Sequence, residues 1–185
     1  MVTLVSLWLP ILVSAVIVFI AANIFWMALP FWHHKDYAML APEQSDAVVA
    51  SLKNAASGQY MVPSVDWGKL TKEQQAAVQT GPGGLLIVRN PMNFSLGSML
   101  VSFFLYNVVV ITVVAYVASL ALAPGAKYPQ VFRVAGSAGI LGYCFHTISD
   151  SIWYGRPWSA TAKFIIDGIV YGLLIGGTFG WLWPH

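Results

Sequence analysis

The sequence predicts an all-α membrane protein: four transmembrane helices, with a small extramembrane cap, helical or α/β, between the first two. Three observations carry this prediction. Of 185 residues, 58% are hydrophobic and only 9% charged, against roughly 25% charged in a soluble domain, too few to cover a water-facing surface. Mean hydropathy is +0.70. The apolar residues also gather into four runs, Leu4–Trp32, Leu96–Leu122, Val131–Ile152 and Ala160–Trp183. Each is at or above the roughly 20 residues that a bilayer requires.

The organisation expected is a first span over 1–32, a cap over 33–95, and spans two to four over 96–185. The first run has no basic n-region and exceeds the length of a signal-peptide core, so it reads as a retained span. Pro10 lies in its first turns and Pro30 near its far end, where a kink or stop is tolerated. Within the cap, PEQSDAVVASLKNAASG reads as a short amphipathic helix with Pro42 in its first turn and Gly58 as its stop. A second helix follows at TKEQQAAVQT, where Thr71 and Gln74 have capping-box spacing and Gly81–Gly84 end the run. The runs QYMVP and LLIVR are short enough to pair as strands.

The last two runs carry a small-residue pattern. Gly168, Gly172, Gly176 and Gly180 recur every four residues and fall on one helix face. Span three offers Ala135, Gly136, Gly139 and Gly142. In lipid, where apolar side chains gain little by leaving the tails, such residues let two backbones approach closely. This reads as a glycine zipper closing a tight hairpin of spans three and four; a homodimer seam through the same glycines is the alternative.

Charge is sparse and one-sided. Between spans three and four, SDSIWYGRPWSATAKFIID holds Asp150, Arg156, Lys163 and Asp167. Lys163 and Asp167 have i, i+4 spacing, and Arg156 reaches back to Asp150 in bidentate-capable geometry, so the four read as a structural charge latch at the turn. Both acids are expected at shallow depth. The functional alternative makes Asp167 a proton, ion or ligand site, because ionisable groups within spans are functional hypotheses by default. His33, His34, His146 and Asp150 are weak candidates for a metal, lacking any diagnostic ligand spacing; the expectation is no metal. Asn23 and Asn107 fall at similar depth in antiparallel spans and are expected to hydrogen-bond each other. The tryptophans mostly mark span ends, as an interfacial belt would.

A net charge of +2 and the absence of any long basic run exclude a nucleic-acid partner. The single cysteine, Cys144, excludes an internal disulfide. No phosphate loop, nucleophile elbow or triad is present, and the sequence leans away from an enzyme without a site to name. Basic residues near span ends, four (Lys35, Arg89, Arg156, Lys163) against two (Lys127, Arg133), place 33–95 and the 153–159 turn in the cytoplasm.

The segments HHKDYAML, VFRVAG and SIWYGRPWS, taken with the cap between spans one and two, resemble a group of small four-span bacterial membrane proteins to which no activity is assigned. The resemblance implies a bacterial inner-membrane location and no catalytic residues. The function expected is a non-catalytic accessory or assembly subunit of a larger membrane complex, respiratory or photosynthetic for example. Its partners are membrane lipids and other subunits; no cofactor is predicted, with room left for a bound lipid or pigment. The alternatives are a small oligomeric transporter or channel using Asp167 and His146, and a membrane enzyme acting on a lipid or quinone.

Overall fold

A computed structural model describes residues 2–185 of the chain. It divides into two compact units, one of residues 2–37 with 96–185 and one of residues 38–95.

The larger unit is a helical bundle. Helix α1 (Trp8–Asn23) follows a 3-10 turn at Val5–Leu7 and runs into a π-helical segment, Ile24–Ala28. In the smaller unit, α2 (Pro42–Ser51), β1 (Gly58–Val62), α3 (Lys72–Thr80) and β2 (Gly84–Val88) follow. The bundle resumes with α4 (Leu96–Ala121), α5 (Tyr128–Cys144), α6 (His146–Tyr154) and α7 (Trp158–Leu182). Among the described residues, three helical stretches are long and apolar enough to cross a membrane: Val5–Ala28, Leu96–Ala121 and Trp158–Leu182.

The expected third span is not continuous. Helix α5 ends at Cys144 and α6 starts at His146. The Thr147 hydroxyl donates to the Cys144 carbonyl at 2.9 Å, an acceptor that an uninterrupted helix gives to a backbone N–H, and the next backbone bond, Ile148 to Phe145, is a tight i→i−3 turn. At 1.5 Å per residue α5 alone is about 25 Å long, short of the roughly 30 Å hydrocarbon core. Gly155, with φ of 71°, caps α6 in the left-handed conformation that side-chain-bearing residues avoid.

In the bundle α1 packs on α4 and α7, and α5 packs on α4 and α7. The core takes Leu7, Ile11, Ala15, Val18 and Ala22 from the first helix, the three-and-four spacing of one helical face. Ile111, Val114, Ala115 and Ala118 face them from α4, and Ile175 and Phe179 from α7. The outward residues are apolar too: Leu12, Val16, Ile20, Val109, Val113 and Leu173 all stand exposed. A bundle apolar inside and out is built for lipid rather than water. The chain is a multi-pass, largely helical membrane protein.

Helices α5 and α7 make the closest approach. A Cβ on Gly172 would stand 2.7 Å from the Ile140 backbone nitrogen and 2.9 Å from the Gly136 carbonyl oxygen. On Gly176 it would stand 2.8 Å from the Phe132 carbonyl oxygen. Gly168 lies against Cys144 and Tyr143, Gly139 against Gly172, and Gly180 against the Tyr128 ring. Gly142 departs from the expected hairpin seam, its open side meeting Val110 of α4 instead.

The smaller unit is built on a β1–β2 antiparallel ladder running from Gly58↔Val88 to Val62↔Gly84. Helix α3 carries a full capping box between Thr71 and Gln74, and α2 has Pro42 at its first turn. Asn90, just after β2, ties to the segment between α2 and β1, its side chain donating to the Lys53 and Ala55 carbonyls.

At Gly172 the added methyl meets backbone, which cannot rotate away. Gly172→Ala is therefore expected to destabilise by about 1–3 kcal/mol, while Gly97→Ala, with nothing within 4 Å, leaves stability unchanged or slightly higher. Thermal unfolding of the two variants in mild detergent checks the contrast.

Candidate functional site: a buried imidazole between two carboxylates

Two polar groups in the bundle are almost wholly removed from solvent while belonging to residues that titrate: His33 and Asp167, each 2% exposed. They meet each other. His33 follows the end of α1, and its Nε2 lies 2.7 Å from Asp167 Oδ2. Its Nδ1 lies 2.7 Å from Asp36 Oδ2, one turn further along the chain. The second oxygen of each carboxylate is also engaged. Trp32 Nε1 donates to Asp167 Oδ1 at 2.7 Å, and Lys163 Nζ donates to Asp36 Oδ1 and to the Trp32 carbonyl.

Two local features set this geometry. The π-helical turn at Ile24–Ala28 widens the helix just before the site, closing with the Leu29 N–H on the Ile24 carbonyl. It presents Trp26, whose ring stacks on the His33 imidazole with centroids 4.2 Å apart and planes 14° apart. On α7, Lys163, Phe164 and Asp167 fall on neighbouring positions of one face. Phe164 sets its ring edgewise to His33 at 5.1 Å, and the Arg156 guanidinium lies 4.0 Å over the same Phe164 ring. Asp167 stands nine residues, about 14 Å, along α7 from Trp158.

The electrostatics balance. Each nitrogen–oxygen contact of His33 requires a hydrogen between the atoms, and an imidazolium supplies both. With Lys163 charged, two cations then face two carboxylates. Burial alone raises the Asp36 carboxyl, but hydrogen bonds from Lys163 and His33, with their charges, outweigh it and hold it below the ordinary 3.8.

The sequence-derived latch is rearranged. Arg156 does reach Asp150, at a long 3.6 Å with both side chains partly exposed, a geometry of little energetic weight. Lys163 and Asp167 do not pair along α7; Lys163 takes Asp36 and Asp167 takes His33. A partner on another element, out of solvent, displaces the weak i, i+4 contact. Asp167 is consequently buried in protein, whereas Asp150 stays 43% exposed at its side chain. His34 and His146 are exposed, and among the described residues no three His, Cys, Asp or Glu side chains are grouped to hold a metal ion.

Asn23 and Asn107 do not meet either. Asn23 donates back to the Phe19 carbonyl. Asn107 donates to Phe103 and accepts the Tyr143 hydroxyl at 2.6 Å. Trp26 and Trp32, counted in sequence as belt residues, belong to the site, while Trp8, Trp153, Trp158 and Trp181 stand exposed. His33, Asp36 and Trp32 were the site residues hardest to single out. The available signal was the crosswise match of His33 and Asp36, three apart, with Lys163 and Asp167, four apart.

Compared with protein-family models, with curated proteins and with solved structures, the chain matches none. The geometry must therefore carry any functional reading, and the likeness to small four-span bacterial proteins rests on its motifs alone.

Because Asp36 is held below its ordinary value in the folded chain, its contribution is complete above pH 3.8 and is lost as pH falls below that value. Unfolding midpoints in detergent are expected to drop across that acid window, with a shallower drop in Asp36→Asn. Lys163→Met strands the Asp36 charge and is expected to cost about 3 kcal/mol. Adding Asp36→Asn to it recovers part of that loss, a coupling readable as a double-mutant cycle.

Proposed function

We propose that the chain is a small ion-translocating membrane protein, acting as an oligomer, whose ion-handling site is the cluster of His33, Asp36, Lys163 and Asp167. The observation that carries this reading is the His33–Asp167 contact at 2.7 Å, both residues 2% exposed. Ionisable groups inside a membrane bundle are costly, and their common use is a proton or ion path. His33 takes the role expected of His146, which lies exposed at the start of α6. In the same proposal α5, extended past its break by α6, makes the fourth crossing. The basic-residue bias sets 33–95 and 153–159 on the cytoplasmic side of a bacterial inner membrane.

A second reading, an accessory or assembly subunit of a larger membrane complex, is favoured by the smaller unit. There Val49, Met61, Trp67 and Ile87 are each half or more exposed, as side chains awaiting a partner would be. Stoichiometric co-purification with other subunits from native membranes would support it.

The ion-translocating reading is tested in proteoliposomes under imposed gradients of proton, Na⁺ and K⁺. The wild-type protein is expected to conduct at least one of them above empty vesicles, and Asp167→Asn to fall to that background. No flux of any of the three, or an Asp167→Asn variant as active as wild type, contradicts the proposal.

A further inference from the structure

Neither carboxylate of the cluster has an oxygen left over. Asp36 Oδ1 takes the Lys163 ammonium and Oδ2 meets His33 Nδ1. Asp167 Oδ1 takes the Trp32 indole and Oδ2 meets His33 Nε2. A hard metal cation stripped of water needs about six oxygens converging on it, and here every carboxylate oxygen already has a donor. A proton needs only one lone pair, and it can move along contacts already in place.

We infer that the ion handled at this site is the proton, and that His33 passes it between Asp36 and Asp167. This rests on the reading of the cluster as an ion-translocating site and names its cargo. In the relay, a ring carrying hydrogen only on Nε2 accepts a proton from the Asp36 carboxyl. The Asp36 O–H bond breaks as the Nδ1–H bond forms, giving imidazolium between two carboxylates. The Nε2–H bond then breaks as an O–H bond forms on Asp167, and the ring is left neutral with hydrogen on Nδ1. Asp167 gives its proton onward, and the starting tautomer returns when water takes the Nδ1 hydrogen and supplies one to Nε2. No electron pair leaves the cluster and no oxidant or reductant is required.

The surroundings give the relay two ends. Lys163 is the most exposed member, its side chain 21% accessible, and it leads to Asp36, at 4%. The Asp167 side chain is equally enclosed, at 4%, and His33 lies between the two carboxylates at 2%. Past Asp167, Tyr171 stands one helical turn along α7 and sets its ring edgewise on Tyr143 at 5.4 Å. The Tyr143 hydroxyl in turn donates to Asn107. The link from Tyr171 to Tyr143 is a ring contact, and the hydrogen-bonded pair beyond it is Tyr143 with Asn107. The charged groups facing His33 are Asp36 from its own segment, and Asp167 and Lys163; Arg156 is held off by the Phe164 ring. The Trp26 face stacked on the imidazole favours its cationic form, the state in which the site rests between transfers.

The test uses the full chain in liposomes containing a pH-sensitive dye, with a K⁺ diffusion potential set by valinomycin. Tracer ²²Na⁺ and ⁸⁶Rb⁺ uptake is measured on the same proteoliposomes without valinomycin, which itself carries Rb⁺. His33→Gln can still hydrogen-bond but cannot take up a second proton. Wild-type protein is expected to acidify or alkalinise the lumen as the potential dictates, with no tracer uptake. His33→Gln is expected to lose proton flux on the order of a hundredfold, the low end of what a positioned acid–base group contributes. Wild-type vesicles that move Na⁺ or Rb⁺ but not protons overturn the relay and leave the ion-translocating reading standing. Vesicles that move none of the three overturn both. A His33→Gln variant with wild-type helicity and undiminished proton flux overturns the relay alone. Should that variant fail to fold, the wild-type comparison of proton against tracer ions decides by itself.

Discussion

An imidazole placed between two carboxylates inside an apolar bundle is tolerable only when every donor meets an acceptor and the charges cancel. Here His33, Asp36, Lys163 and Asp167 achieve both, with the Trp32 indole N–H supplying the last donor. Removing one member of such a buried set strands a charge, which costs about 3–5 kcal/mol. Replacing the whole set by apolar residues is often neutral or stabilising. Stability alone therefore explains poorly why a chain that otherwise avoids charge keeps four ionisable groups together. What the cluster does physically is fix the segment after α1 against the middle of α7, and hold a titratable ring out of solvent.

The rest of the bundle serves that placement. The close α5–α7 approach, with Gly136 and Gly139 against Gly172 and Gly176, sets the rotation of α7 about its axis. With that face committed to α5, the face bearing Lys163, Phe164 and Asp167 turns to the end of α1. There the π segment Ile24–Ala28 shifts the helix register by about one residue, which brings Trp26 over His33. At the opposite end of the bundle the Trp183 indole donates to the Ala123 carbonyl and Gly125 N–H to the Pro184 carbonyl, tying the end of α7 to the α4–α5 turn.

Hydropathy alone placed the three long helices, because crossing a bilayer demands an unbroken run that few other constraints produce. It could not show the break at Phe145, since an apolar run reads the same whether or not Thr147 takes the Cys144 carbonyl. The glycines at four-residue spacing on α7 were legible because only close backbone approach needs them. Gly142 misled, for spacing reports a helical face and not which neighbour covers it. The site was half legible. Lys163 and Asp167 stood out as charges in an apolar segment, but their partners lie more than 120 residues away in sequence. Local spacing favoured an i, i+4 pair that burial against another element overrode. Asn23 and Asn107 failed for a related reason: equal depth does not make two helices present those faces to each other, and each amide found a carbonyl on its own helix.

The central claim is that His33 bridges Asp36 and Asp167 through both ring nitrogens. It is tested most directly by ¹⁵N-imidazole NMR of histidine-labelled protein in detergent, with His33→Gln assigning the signal. The account predicts two slowly exchanging, strongly deshielded imidazole N–H protons on His33 at neutral pH, one of which is lost in Asp167→Asn. Rapidly exchanging His33 nitrogens that average between neutral tautomers, unaffected by Asp167→Asn, would contradict it.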